Sequence, residues 1–254
     1  METVPAEVRK LREGLGSALD SALGPVRAGG GPLGILFSGG VDSALLAWEL
    51  RGLPQVVLCT VGREGSPDLR SGESGAKRLG LPWQGLRIDS GDVQTAEGRF
   101  REELAGLPNV SRAVLLALAL AIERATPRHL VCGQGADELF LGYAHYRSLN
   151  GPLAERRSRE DLDRLRGTDW PRTQRIAERC GRRLLAPYLS SEFEAQARRI
   201  PVDLLLPRDA PKRFFREWAA ERGLPRELAE RPKKAVQYGT GVDALLRSAG
   251  RARP

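Results

Sequence analysis

Two stretches of this sequence place glycines, hydroxyls and carboxylates where an apolar strand would turn sharply into a helix. The first, Ser38-Gly39-Gly40-Val41-Asp42-Ser43, follows the apolar run 33–37; the second, Gly133-Gln134-Gly135-Ala136-Asp137-Glu138, follows 129–132. In the first, two glycines let the backbone bend without a Cβ and bring its N–H groups to the surface. A helix starting near Val41 adds its positive end, so the elbow suits an anion such as phosphate. Ser38 and Ser43 supply hydroxyl donors, and Asp42 is placed to hold a magnesium ion that bridges phosphates. In a purely structural turn, Asp42 would serve only as a helix cap. The sequence has no GxxxxGK[ST] lysine, the usual partner of a loop that cuts at the terminal phosphate.

Elbows of this kind need strands to carry them, and the flanking sequence supplies them. Short apolar runs predict strands over 33–37, 55–61, 83–89 and 129–132. Helical spacing predicts helices over 41–50, 67–79, 111–125 and 137–147, with a further helical segment near 95–105. Strands alternating with helices give an α/β fold, a parallel sheet with helices on both faces. Ligands bind such sheets at the carboxyl ends of the strands, where both elbows fall. Ahead of the sheet, Val8, Leu11, Leu15, Leu19 and Leu23 mark a helix expected to stop at Gly24-Pro25. Beyond Gly151, helical patterns punctuated by prolines predict a helical carboxy-terminal lobe packed on the core. The expected divisions are therefore 1–30, an amino-terminal helix and connector; 31–150, the α/β core; and 151–254, the lobe.

Composition narrows the function classes. With 254 residues, 41% hydrophobic and 28% charged, the chain can build a proper core and is not of the disordered type. Its longest apolar run, 113–122, is far short of the roughly 20 residues of a membrane span, and its start lacks a secretory signal. A soluble, cytoplasmic protein is expected. Three separated cysteines and two histidines exclude a disulfide framework and a CxxC zinc site. The net charge of +8 is carried almost entirely by arginine, with lysine only at 10, 77, 212, 233 and 234. That balance favours polyphosphates and would also admit nucleic acid. Because the arginines alternate with acids, an ion-paired surface is the favoured reading.

The first elbow resembles the SGGxDS phosphate loop of the ATP pyrophosphatases, which cleave ATP between the α- and β-phosphates on a Rossmann-like fold. The second, Gly133-Gln134-Gly135-Ala136-Asp137-Glu138-Leu139-Phe140-Leu141-Gly142-Tyr143, resembles the GxGxDExFxGY stretch of the asparagine synthetases, in their carboxy-terminal synthetase domain. Arg231-Pro232-Lys233-Lys234-Ala235-Val236-Gln237-Tyr238-Gly239 is similar to that domain's lysine segment. The resemblance implies ATP and Mg2+ as cofactors, with Asp42 and Asp137 as metal ligands. Lys233, with Lys234 as an open alternative, would steady charge on the phosphates and the attacked carbonyl. Leu36, Val61, Gly62, Cys132 and Gly133 would line the adenosine, and Ser38, Gly39, Gly40 and Ser43 the phosphates.

The same resemblance implies an AMP- and pyrophosphate-forming carbon–nitrogen ligase that adenylates a carboxylate, aspartate first, for attack by ammonia. Another acceptor such as tRNA, or nucleotide binding without turnover, are the alternatives. Two departures fall on the acceptor side. Gln134 stands where the family has an acid–base residue, commonly Glu, and Gln cannot accept a proton. In Gly181-Arg182-Arg183-Leu184-Leu185-Ala186-Pro187-Tyr188-Leu189-Ser190, similar to GxExRxPFLD, Arg183, Leu185 and Ser190 replace the family's charged residues. Glu2, not a cysteine nucleophile, follows Met1, so ammonia is expected from solution or from a separate glutaminase subunit.

Overall fold

The computed structural model describes residues 5–206, 210–231 and 239–251. At its centre lies β1 (Leu33–Leu36), every residue of which is buried. Leu33 and Ile35, with Phe37 just beyond, join one apolar core, whereas Leu36 joins a second core on the other face. Strand side chains alternate between faces, so β1 is covered on both sides. It is flanked by β2 (Val56–Arg63) and β4 (His129–Val131), with β3 (Trp83–Ile88) and β5 (Arg183–Leu185) at the edges. The order β3-β2-β1-β4-β5 is parallel throughout, with Leu36 opposite Cys59 and Ile35 opposite Val131.

The chain winds from β1 outward to β3 and then returns to the other side of β1 for β4. This reversal opens a crevice at the carboxyl ends of β1 and β4. On one face of the sheet the core draws on α1 (Ala6–Ala28), α2 (Val41–Leu50) and α3 (Pro67–Leu79). The opposite core takes residues from α4 (Ser90–Arg99), α5 (Arg101–Leu104) and α6 (Asn109–Arg124). Local chemistry sets these boundaries. Ser66 accepts from Leu69 N at 3.3 Å ahead of Pro67, and Gly80 ends α3 in the left-handed region.

After the one-turn α7 (Ala136–Leu139) come α8 (Gly151–Arg164), a π-helical turn (Leu165–Asp169) and α9 (Trp170–Arg179). The remaining helices are α10 (Ser191–Ala197), α11 (Val202–Leu205), α12 (Arg213–Glu221), α13 (Arg226–Ala229) and α14 (Val242–Arg251). Far from forming a detached unit, α12 is clamped to the amino-terminal half. Arg12 pairs with Glu217 at 2.7 Å and with Glu221, while Arg222 reaches Glu49 at 2.6 Å and Asp20 at 3.1 Å. No helix among the described residues is long and apolar enough to cross a membrane.

Three local expectations are corrected. The first helix does not stop at Gly24-Pro25 but runs to Ala28, because Leu23 and Val26 continue its core-facing stripe and packing outweighs the proline. A strand, β5, occupies 183–185 within the stretch expected to be helical; three residues are too few to show a period. The helix expected over 137–147 breaks after one turn at Leu141, whose φ is 51°, and resumes as a 3₁₀ turn, Ala144–Ser148.

Candidate active site

β1 ends at Leu36 and the chain bends through Ser38-Gly39-Gly40 into α2. Gly39 has φ 74°, and a Cβ there would press on the Ser71 carbonyl and the Arg231 guanidinium. Hydroxyls brace the turn: Ser38 N donates to Ser43 Oγ at 3.3 Å, and Ser43 Oγ donates to the Gly40 carbonyl at 3.2 Å. Asp42, in the first turn of α2, is buried, and the wholly buried Tyr188 donates to its carbonyl at 2.9 Å. Arg231 donates to Ser71 O at 3.0 Å and to Ser71 Oγ at 2.6 Å, anchoring the start of the lysine segment beside the bend.

The second bend follows β4 and carries Asp137 in the single turn of α7. Between the two carboxylates stands a residue that the sequence reading did not select. Lys212 Nζ donates to Asp42 Oδ1 at 2.7 Å and ion-pairs Asp137 Oδ1 at 2.7 Å. The two Oδ1 atoms are thus no farther apart than twice that distance, although 94 residues of chain lie between Asp42 and Asp137. Lys212 is only 3% exposed and adopts a left-handed φ of 59°, a strained conformation for a side-chain-bearing residue. Arg216 secures this turn by donating to the Pro211 carbonyl at 2.9 Å. Room for the lysine comes from Gly142, where a Cβ would overlap both the Asp137 carboxylate and the Lys212 side chain. The break in the helix expected over 137–147 therefore has a physical cause: the chain must turn aside at Leu141-Gly142 to admit Lys212.

A cleft of about 550 Å3 runs along this rim. Leu36, Val61, Cys132 and Gly133 line it, as do Ser38, Asp42, Ser43 and Asp137. Gly39 and Gly40 shape the bend without lining the cleft, and Gly62 faces Ser66 at the start of α3. Lys233 and Lys234 lie outside the described residues. Burial pushes the Cys59 and Cys132 thiols up to about 12, so these side chains are apolar lining rather than nucleophiles.

The far part of the cleft is built differently. Gln134, Glu138, Tyr143, His145, Arg164 and Asp169 line it. Burial, reinforced by neighbouring Asp137, raises the Glu138 carboxyl to about 7, and Tyr143 OH donates to Glu138 Oε1 at 2.6 Å. Arg183, by contrast, is exposed at the start of β5, opposite His129 in register and away from the cleft. Of the departures at Gln134 and Arg183, only Gln134 therefore faces the site.

The residues fit a hard cation. No trio of His, Cys, Asp or Glu that could enclose a metal occurs among the described residues. Magnesium, however, commonly takes one or two carboxylates and draws its remaining oxygens from phosphates and water. Asp42 and Asp137 are such a pair, converging on a single cationic group.

Sequence comparison agrees with this geometry: the chain matches asparagine synthase over residues 14–185 and 150–252. The chain belongs to the asparagine synthase family. A putative glutamine-hydrolyzing asparagine synthetase 1 of Methanocaldococcus jannaschii is 28% identical over 253 residues, covering 84% of this chain and 47% of that protein. The glutamine-hydrolyzing asparagine synthetase of Bos taurus is 30% identical over 221 residues, 82% of this chain and 39% of that protein. This asparagine synthase-family chain thus spans about half the length of these relatives or less. Among solved structures, the U34-tRNA thiolase NcsA of Methanococcus maripaludis aligns over 96% of this chain and 82% of that one. Its 12% identity and TM-score of 0.39 are too low to bear on function.

Proposed function

We propose that the protein is an ATP-dependent ligase that adenylates a carboxylate, aspartate first, releases pyrophosphate, and passes the acyl group to ammonia. The observation that carries this reading is the convergence of Asp42 and Asp137 on one cation at the crevice where the sheet reverses. The amino-terminal end of α2, which begins at Val41, would direct partial positive charge at a phosphate chain laid across the bend. Bound magnesium would offset charge on the departing pyrophosphate. Lys212, donating to Asp42 in this arrangement, is close enough to transfer a hydrogen bond to a phosphate oxygen as the nucleotide enters. Leu36, Val61 and the Cys132 side chain present an apolar wall to the adenosine end.

Adenylation asks little acid–base help of the protein. The carboxylate oxygen attacks the α-phosphorus, pyrophosphate leaves, and what the protein must supply is alignment and charge neutralisation. The test is ATP–pyrophosphate exchange with a panel of carboxylates: aspartate-dependent exchange is expected, and no exchange with any carboxylate would overturn the reading.

A further inference from the structure

Amide formation requires a group that can take a proton from the attacking nitrogen, and Gln134 cannot do so. Asp42 and Asp137 are engaged with Lys212 at the phosphate end, and Glu138 is buried and bonded by Tyr143. On the acceptor side of the same cleft stands His145, on the 3₁₀ turn Ala144–Ser148. Its side chain is about half exposed and its Nε2 lies 2.9 Å from Asp161 Oδ2.

Asp161, on α8, has a side chain only 2% exposed and cannot swing away. Tyr146 OH donates to its Oδ2 at 2.9 Å, Arg157 Nε donates to the same oxygen at 3.3 Å, and Arg157 pairs with Oδ1 at 3.1 Å. With the carboxylate held as an acceptor, Nε2 carries the ring hydrogen and the neutral imidazole keeps its lone pair on Nδ1. The ring is further fixed by stacking on Tyr143, with centroids 5.5 Å apart and planes at 26°. A base oriented by a buried carboxylate is the arrangement that general-base catalysis uses.

We propose that His145, oriented by Asp161, is the acid–base residue of the acceptor half-reaction. The inference rests on the ligase reading above and names the residue that compensates for Gln134. Ammonia attacks the acyl carbon of the adenylate, and the new N–C bond forms. The C–O bond to the AMP phosphate breaks, and AMP leaves with that electron pair. A proton passes from nitrogen to Nδ1 of His145 and on to water. Other charges around the ring are Arg147 on its own turn, Arg157 and Arg164 on α8, Glu138 behind Tyr143, and Asp169 beyond Arg164.

The two half-reactions can be read separately in the whole protein, with aspartate, ammonium and ATP·Mg2+ as probes. In H145Q and H145A, aspartate-dependent ATP–pyrophosphate exchange should stay within about threefold of wild type, while amide formation falls about 100-fold or more. With the rate of amide formation expressed per free ammonia, so that the ammonium equilibrium is divided out, the acid limb of the wild-type pH profile should disappear in both variants. Imidazole should partly rescue H145A. D169N, a control at another acid lining this side, should keep that limb. Amide formation by H145Q at the wild-type rate with the limb intact would overturn the proposal. So would equal losses in exchange and amide formation, which would mark His145 as structural. A wild-type protein that shows no exchange at all would instead remove the ligase reading, and this inference with it, before any variant is compared.

Discussion

The two ends of one cleft are built to different standards. At the phosphate end, a buried lysine in a left-handed conformation lies between two carboxylates, and glycine is required at Gly39 and Gly142 to let backbone and side chains meet. At the end proposed for the acceptor, His145 and Asp161 sit on a 3₁₀ turn and on α8, with His145 about half open to solvent. The difference shows where strain is tolerated. A phosphate chain and a hard cation demand fixed positions and repay burial of charge, whereas an incoming small nucleophile needs access and one oriented base.

The largest expected effect is at the phosphate end. Asp42→Asn removes one carboxylate of the pair and should cut ATP–pyrophosphate exchange by about 100-fold or more. An exchange rate near wild type in this variant would break the comparison outright. Next comes Lys212→Met, which leaves two acids facing each other without their shared cation. Without ligand, this variant should lose about 3–5 kcal/mol in denaturant unfolding. Mg2+ should recover part of the loss, as the ion can take the place of the ammonium between Asp42 and Asp137; a loss indifferent to Mg2+ would separate the lysine from the metal position.

Gly142→Ala tests the same end through shape alone. The added methyl overlaps Asp137 and Lys212, so a loss of about 1–3 kcal/mol is expected together with weakened exchange. Stability unchanged in thermal melts would contradict the close approach of Asp137 and Lys212 to Gly142. The last test concerns Glu138, which lies beside Asp137 and reads out only with pH. Its carboxyl is raised from 4.5 to about 7, so between those values the folded protein retains a proton that the unfolded chain has released. Stability therefore falls as pH rises through this window, by an amount on the order of 2–3 kcal/mol for a group this buried. Glu138→Gln should flatten that slope in unfolding curves collected from pH 5 to 8; an unaltered slope would place the titration elsewhere.

Much of the fold was legible because the strands are short, apolar and separated by regular helices. The elbows at 38–43 and 133–138 could be placed at strand ends from glycine position alone. Where sequence reading failed, the cause was long-range. Nothing local at Ala210-Pro211-Lys212 distinguishes that lysine from Lys10 or Lys77; its role arises when the start of α12 folds back 170 residues to Asp42. A signal did exist in the rarity of lysine among so many arginines, but rarity alone assigns no partner. β5 was missed because three residues carry no period, and the break at Leu141 because its reason is a side chain from another element. His145 and Asp161 are 16 residues apart on a turn and a helix, a spacing that no single helical period brings together.

The central claim concerns which bond of ATP is cut and by what. Incubating the protein with ATP, Mg2+, ammonium and aspartate labelled with 18O in its carboxylates, then resolving the phosphorus products by 31P NMR, tests it directly. The account predicts AMP and pyrophosphate, with one label carried from the carboxylate into the AMP phosphate. ADP and inorganic phosphate, or AMP free of label, would contradict it.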